Sequence, residues 1–132
     1  MTSPIAPLSS HSQRFVKEGH GWRVGWNGEA NAYQGLLGGD GWALELTAPE
    51  FQDFCRLAQQ LAATMEAMGS ELMDEERIVC EAESDLIWLE AEGFPHQYSL
   101  RFILTTGRQC EGSWPESIVG GLMTALVGLE LF

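Results

Sequence analysis

A short helix-start signature occurs twice in this chain, once at residue 47 and again at residue 113. The segments Thr47-Ala48-Pro49-Glu50 and Ser113-Trp114-Pro115-Glu116 share the pattern of a hydroxyl residue, any residue, then Pro-Glu. The hydroxyl oxygen can accept a hydrogen bond from a free N–H of the first helical turn, and the glutamate can bond back to the cap. Proline suits the first turn because no N–H is needed there. The signature therefore predicts two helices.

Apolar residues at helical spacing follow each copy of the signature. They recur every three or four positions and form one stripe along each predicted helix. The first stripe is Phe51, Phe54, Ala58, Leu61, Met65, Met68 and Leu72, and the second is Ile118, Val119, Leu122, Met123, Ala125, Leu126 and Leu129. These stripes predict helices that cover residues 49–68 and 115–128.

Short segments that alternate between large apolar and other residues precede each predicted helix, as is typical of strands. They lie at 22–26, 33–37 and 42–46 in the first half, and at 77–83, 86–92, 98–105 and 109–112 in the second. The order predicts an α+β fold of two antiparallel sheet units, each followed by a helix. A cupin-like β-barrel with peripheral helices is the alternative.

The length of the chain, 132 residues, suits one domain. We expect a flexible N-terminal arm at 1–13 and a single α+β domain at 14–132. That domain would consist of two β-β-β-α halves, at about 14–73 and 74–132.

The first hairpin of the second half can be registered from its sequence. With Ser84-Asp85 as a two-residue turn, Ala82 faces Ile87, and the apolar side chains of both strands gather on one face. In this register Arg77 lies opposite Glu92, which would form a favourable cross-strand pair.

The other face of this hairpin carries the densest acidic group of the chain. Its candidate site residues are Glu81, Glu83, Trp88, Glu90 and Glu92. Carboxylates on strands lack the converging loop of calcium sites, so a solvated surface is one interpretation. The functional interpretation is a site for a basic partner or a cation, with Trp88 either as a recognition aromatic or covered by the N-terminal arm.

The charge of the chain restricts its partners. Nineteen acidic residues and only seven basic ones give a formal net charge of −12. Nucleic-acid binding draws its affinity from Lys and Arg that neutralise phosphates. We therefore expect an unidentified protein partner of basic character and no nucleic acid. No apolar run approaches the roughly 20 residues of a membrane span, and three cysteines without a C-x-x-C spacing fit a reducing cytoplasm.

No catalytic or cofactor-binding arrangement stands out. Cys55 and Cys80 fall on predicted apolar faces, and the histidines at 11, 20 and 96 are isolated. The glycine-rich stretch at 35–41 leads into a strand, which favours a hairpin turn over a phosphate loop. We expect no enzymatic activity, no cofactor and no metal site, while an enzyme with an unrecognised site stays open.

The second predicted helix places Gly120 and Gly121 among its apolar residues. If one face of this helix lies on a sheet, some apolar side chains are left over, and such patches mark interfaces. Glycines would let a second backbone approach closely. This pattern predicts a homodimer through the C-terminal helix.

Five stretches of the sequence resemble a known family. They are GWRVGW at 21–26, GGDGWALELT at 38–47, ELMDEE at 71–76, WLEAEG at 88–93 and EGSWP at 111–115. They resemble the domain of unknown function 1818 family, small uncharacterised proteins of cyanobacteria and plant plastids, over about residues 13–128.

The resemblance implies a fold like that of the whirly and positive-cofactor-4 single-stranded DNA-binding regulators. It implies no catalytic residues. The predicted function is a non-enzymatic protein-binding or assembly module of cyanobacteria or plastids. A single-stranded nucleic-acid-binding transcriptional regulator is the alternative, because the implied fold is shared with such regulators.

Overall fold

The computed structural model describes residues 13–71 and 76–129. In the first half, the elements are β1 (Arg14–Gly19), β2 (Trp22–Asn27), β3 (Gly35–Gly39), β4 (Trp42–Leu46) and α1 (Ala48–Glu71). In the second half, they are β5 (Ile78–Glu83), β6 (Ile87–Phe94), β7 (Gln97–Leu104), β8 (Glu111–Trp114) and α2 (Glu116–Val127). The predicted N-terminal arm lies outside the described residues except for Gln13.

The strands form two four-stranded antiparallel sheets, in the orders β1-β2-β3-β4 and β5-β6-β7-β8. The predicted α+β fold of two sheet units, each followed by a helix, is confirmed. The cupin-like barrel is wrong for the described residues, because both sheets stay open with a strand at each edge. Short connections pair each strand with its predecessor, which leaves the first and last strands as edges.

The first half contains one strand more than the three predicted. The extra strand, β1, has few apolar residues, so it lacks the alternation by which strands are recognised. A turn motif that occurs twice in the sequence indicates the position of β1. His20-Gly21 and Asp40-Gly41 both connect a glycine to a tryptophan, and Gly21 and Gly41 have positive φ angles of 80° and 83°. That backbone conformation favours glycine.

The predicted register of β5 and β6 is wrong by two residues. Ala82 pairs with Leu89 rather than Ile87, so the two-residue turn is Asp85-Leu86. Ser84 favours this turn because its hydroxyl oxygen accepts a hydrogen bond from the backbone N–H of Leu86, at 3.1 Å. A shift of two preserves the face on which each side chain lies. The predicted separation into apolar and acidic faces is therefore unchanged.

The predicted pair of Arg77 and Glu92 is wrong for the same reason. Val79 pairs with Glu92 in the observed register. Arg77 instead donates from Nη2 to Oε1 of Glu116 in α2, at 2.8 Å, and its guanidinium lies 5.0 Å from the centre of the Phe94 ring. Arg77 therefore links the second sheet to α2.

The two copies of the helix-start signature behave differently. At α1 the predicted capping box is present: Thr47 N donates to Glu50 Oε1 at 2.8 Å, and Glu50 N donates to Thr47 Oγ1 at 3.3 Å. At α2 the prediction is wrong, because Ser113 and Trp114 belong to β8 and Pro115 is the cap residue, without a side-chain cap hydrogen bond. Burial of Trp114 outweighs the local capping preference.

Trp114 lies at the centre of an aromatic cluster that joins the two halves. Its ring centre is 5.2 Å from that of Trp42, 5.7 Å from that of Phe54 and 5.6 Å from that of Phe102. Its indole Nε1 donates to the backbone oxygen of Gly38 at 2.8 Å. The buried apolar residues of both halves form one core around this cluster.

A buried carboxylate forms a second connection between the halves. Glu50 is 2% exposed, and its Oε1 also accepts from Arg108 Nη2 at 2.5 Å. Its Oε2 accepts from Thr106 Oγ1 at 3.0 Å. Arg108 also donates from Nη1 to the backbone oxygen of Glu45 at 2.7 Å, and its guanidinium lies 4.7 Å from the centre of the Tyr33 ring. These bonds tie the start of α1 to the β7–β8 turn.

The pKa of Glu50 reflects two opposing effects. Burial alone raises it, but hydrogen bonds from Thr47, Thr106 and Arg108, with the positive charge of Arg108, bring the pKa below its ordinary value. The ionised carboxylate therefore stabilises the fold above the unfolded-state pKa. That contribution is lost as the pH falls through the folded-state value.

Replacing Trp114 tests the aromatic connection. Trp114→Phe should lower the free energy of unfolding by about 2–4 kcal/mol, because the smaller ring leaves a cavity and the hydrogen bond to the Gly38 carbonyl is lost. Urea unfolding followed by circular dichroism measures this loss. Trp88→Phe, on the surface of the second sheet, should cost less than about 1 kcal/mol. Equal losses in the two variants would contradict the central role of Trp114.

The two hydroxyl residues of the signatures should differ in their contribution to stability. Thr47→Ala should cost about 0.5–2 kcal/mol because it removes a helix cap, whereas Ser113→Ala should change stability by less than about 0.5 kcal/mol. Thermal unfolding of both variants makes the comparison. A loss confined to Ser113→Ala would show that α2 is capped as its sequence pattern suggests.

Glu50→Gln should destabilise the protein in a pH-dependent way. At about pH 7 the variant should lose about 1–3 kcal/mol, because Arg108 keeps its charge without the carboxylate. The difference from the parent should shrink below pH 4.5, the ordinary pKa of the group, as the parent carboxylate becomes protonated. Urea unfolding at several pH values measures it, with the exposed Glu45→Gln as the control. A difference that is constant with pH would refute the ionised state of Glu50.

Candidate functional site

The five candidate residues of the sequence lie on one surface, the outer side of the second sheet. Side chains alternate between the two faces of a strand, and the cross-strand pairing fixes which outer residues are neighbours. We define the acidic face as the outer residues Val79, Glu81, Glu83, Trp88, Glu90, Glu92, Ser99, Arg101, Ile103, Glu111 and Ser113. Both helices pack against this sheet through its opposite, apolar side.

The acidic face consists of three cross-strand rows. From β5 towards β8 the rows are Glu83, Trp88, Ile103 and Glu111; then Glu81, Glu90, Arg101 and Ser113; then Val79, Glu92 and Ser99. The first row lies nearest the β5–β6 turn. In this row, glutamates at both ends flank an apolar centre that Trp88 and Ile103 form.

The charge of the acidic face is strongly unbalanced. Five carboxylates against one guanidinium leave a net formal charge of −4. Glu81 lies directly opposite Glu90, and like charges in that position cost stability. Arg101 offsets part of this cost, because it lies opposite Glu90 across β6 and β7. Its guanidinium also lies 5.2 Å from the centre of the Trp88 ring.

Apolar groups are accessible within this charged surface. Val79 is 55% exposed on the edge strand β5, and Trp88 and Ile103 are half-buried. A depression of about 200 Å³ borders the face where Arg101, Glu111 and Ser113 approach Trp42. The surface therefore offers apolar contact and negative charge side by side. The predicted cover of Trp88 by the N-terminal arm concerns residues outside the described part of the chain.

The cysteines occupy different environments. Cys55 is buried in α1, and burial raises the pKa of its thiol to about 12, so the thiolate is suppressed. Cys80 is half-buried rather than a core residue, because β5 is an edge strand. Cys110 is also half-buried, and its thiol bonds to the backbone oxygen of Arg108 at 3.5 Å.

The remaining sequence candidates are dispersed. The glycine-rich stretch forms β3 and the β3–β4 turn, so the predicted hairpin is confirmed. His20 lies in the β1–β2 turn and His96 in the β6–β7 turn, while His11 is not described. In the part of the chain that the structure describes, no three His, Cys, Asp or Glu side chains are grouped so that they could hold a metal ion.

The bonds around Glu50 form a buried polar cluster that the sequence does not predict. The capping role of Glu50 could be predicted from a local pattern, but Arg108 lies in a turn 58 residues away and has no motif of its own. Both carboxylate oxygens are used in hydrogen bonds to protein groups. This arrangement serves stability, because the buried carboxylate is already satisfied by partners inside the protein.

The C-terminal helix uses most of its apolar residues within the chain. Ile118, Leu122 and Leu126 are buried in the core, and Gly121 leaves room for the Trp22 indole, whose Nε1 would lie 2.7 Å from an added Cβ. Val127 is the large apolar residue that this helix exposes, at 70%. The homodimer stays a prediction. Most of the apolar side chains of α2 that suggested it pack against the first sheet and the core of the same chain.

A comparison with solved structures supports the fold. Among solved structures, the crystal structure of a protein of unknown function from the DUF155 family of Prochlorococcus sp. NATL2A is similar. The TM-score is 0.80 and the sequence identity 26%, over 86% of this chain and 96% of that chain. No curated protein matches the chain. None of the described helices combines the length and apolar character that a membrane crossing requires.

The family comparison covers nearly all of the described fold. The model named "Domain of unknown function (DUF1818)" matches residues 17–129, which include every strand and helix except the first part of β1. This match confirms the resemblance found in the sequence. The chain belongs to the DUF1818 family, whose function is unknown.

Proposed function

We propose that the protein is a non-enzymatic binding module whose acidic face binds a basic segment of a protein partner. The observation that carries this proposal is the arrangement of the five carboxylates around the apolar centre at Trp88 on an open sheet face. Complementary charge steers a basic partner to such a surface and selects against acidic ones.

A basic partner would also relieve repulsion that already exists in the free protein. Glu81 and Glu90 oppose each other across β5 and β6, with Arg101 on one side of the pair only. A cationic side chain placed over Glu81 would interact favourably with both carboxylates. The aliphatic stem of Lys or Arg could cover Val79 or Trp88 while its charged end stays near a glutamate.

The spacing of the carboxylates suits an extended segment. Glu81 and Glu83 are two residues apart on β5, and strand geometry separates such residues by about 7 Å. Alternate side chains of an extended peptide have the same separation. The partner segment is therefore expected to carry basic residues at every second position.

A binding role without catalysis fits the character of this surface. The acidic face contains carboxylates, serines and one arginine but no histidine or cysteine, and nucleophilic catalysis usually needs a nucleophile with an adjacent base. We infer that this binding takes place in the cytoplasm, where the free thiols of Cys55, Cys80 and Cys110 would persist. The net charge of −12 disfavours the alternative, a regulator that binds single-stranded nucleic acid.

Titration with a labelled peptide of alternating lysine and serine tests the proposal. The double variant Glu81→Gln/Glu83→Gln should bind this peptide about tenfold more weakly, since two exposed ion pairs contribute roughly 0.5–1 kcal/mol each. Fluorescence anisotropy measures the change at about 150 mM salt, where long-range attraction is screened.

The matched control is Glu29→Gln/Glu45→Gln, which makes the same charge change at two exposed sites of the first half. This control should bind the peptide within about twofold of the parent, because the screening length at that salt is about 8 Å. Equal weakening in the two double variants would refute the site, because it would mean that only net charge matters. Salt-sensitive binding of a single-stranded oligonucleotide would support the regulator instead.

A further inference from the structure

A groove of about 610 Å³ lies on the other side of the second sheet, where α1, the β6–β7 turn and α2 meet. We call it the helix groove. Its volume falls within the range of small-molecule sites. The residues that matter for its chemistry are Glu66 of α1, Tyr98 of β7, and Glu116, Val119 and Met123 of α2. None of them belongs to the acidic face.

The helix groove is lined by two carboxylates and by the imidazole of His96. Glu66 and Glu116 come from different helices, and the described lining includes no lysine or arginine. Glu116 is paired with Arg77 at 2.8 Å. No ion pair or hydrogen bond engages the Glu66 side chain among residues 13–71 and 76–129. Glu66 is therefore the carboxylate that is available to a ligand.

The rest of the lining suits an apolar or aromatic body. Val119 is buried, Met123 and Tyr98 are half-buried, and these side chains border the same space. The thioether of Met is polarisable and packs well against rings. Burial raises the pKa of the Tyr98 hydroxyl, and a neutral phenol can donate or accept a hydrogen bond.

We propose that the helix groove binds a small organic cation, an ammonium group attached to an apolar or aromatic body. The ammonium would pair with Glu66, and the body would pack against Tyr98, Val119 and Met123. Anionic ligands are disfavoured because the carboxylates would repel them. This inference does not depend on the acidic face, which lies on the opposite side of the sheet.

Three probes with the same ring separate charge from shape. Tyramine carries the ammonium, 4-ethylphenol lacks it, and 4-hydroxyphenylacetate replaces it with a carboxylate. Tyramine should bind with a dissociation constant on the order of 0.1–1 mM, as expected for a ligand of this size. Amide shifts in a nitrogen-15 NMR titration should concentrate at 62–66, 95–98 and 116–123. The other two probes should bind at least about fivefold more weakly, because the exposed ion pair between the ammonium and Glu66 is lost.

Two variants on one helix test whether Glu66 binds the ammonium group of the ligand. Glu66→Gln should weaken tyramine binding about fivefold, whereas Glu71→Gln should change it less than about twofold. Both glutamates are exposed on α1, and both substitutions remove one negative charge, but Glu71 is not part of the groove lining. Equal effects of the two variants, shifts outside the groove, or binding of the carboxylate probe as tight as that of tyramine would overturn the proposal.

The same ammonium could come from a free amine or from a lysine side chain. N-acetyl-lysine methylamide distinguishes these sources, because it presents the lysine ammonium on a peptide unit. If it displaces tyramine and binds more tightly, the proposal of a small ligand is overturned in favour of a lysine side chain; weaker binding supports a free amine. Glu66→Gln should leave binding of the alternating lysine peptide at the acidic face unchanged, so the two sites can fail separately.

Discussion

The indole N–H of Trp114 donates to the carbonyl oxygen of Gly38 inside the core, across the boundary between the two halves. A buried N–H without an acceptor costs about 1–3 kcal/mol, so this bond fixes the position of β8 relative to β3. The rings of Trp42, Phe54 and Phe102 pack around the same indole and bring both sheets and α1 into one core. The start of α2 follows from this constraint, because a strand that reaches Trp114 leaves Pro115 as the cap residue.

The packing of the halves decides which surfaces remain for binding. Because both helices cover the apolar side of the second sheet, its outer side is left accessible with its carboxylates. The junction of α1, α2 and the β6–β7 turn leaves a groove instead of a filled contact. At the opposite end of α1, hydrogen bonds engage both carboxylate oxygens of Glu50. The acidic face and the helix groove thus arise from a single arrangement of sheets and helices.

The acidic face could be predicted from the sequence because it depends on strand periodicity alone. Glu81, Glu83, Glu90 and Glu92 share a face in the predicted register and in the observed one, since the two registers differ by two residues. The partners of each carboxylate could not be predicted in this way. The pairing of Arg101 with Glu90 needs the register of β6 and β7, and the position of its guanidinium over Trp88 needs the rotamers.

The sequence by itself determined the two helices, most of the strands, the antiparallel sheets and the composition of the acidic face, because these depend on local spacing and on the alternation of side chains. It also determined the cap of α1, where both bonding groups lie within four residues. Only the tertiary structure decided the start of α2, the partners of Arg77 and Arg108, and the helix groove. Each of these depends on groups distant in sequence, whose contacts exist only after the two halves pack around Trp114.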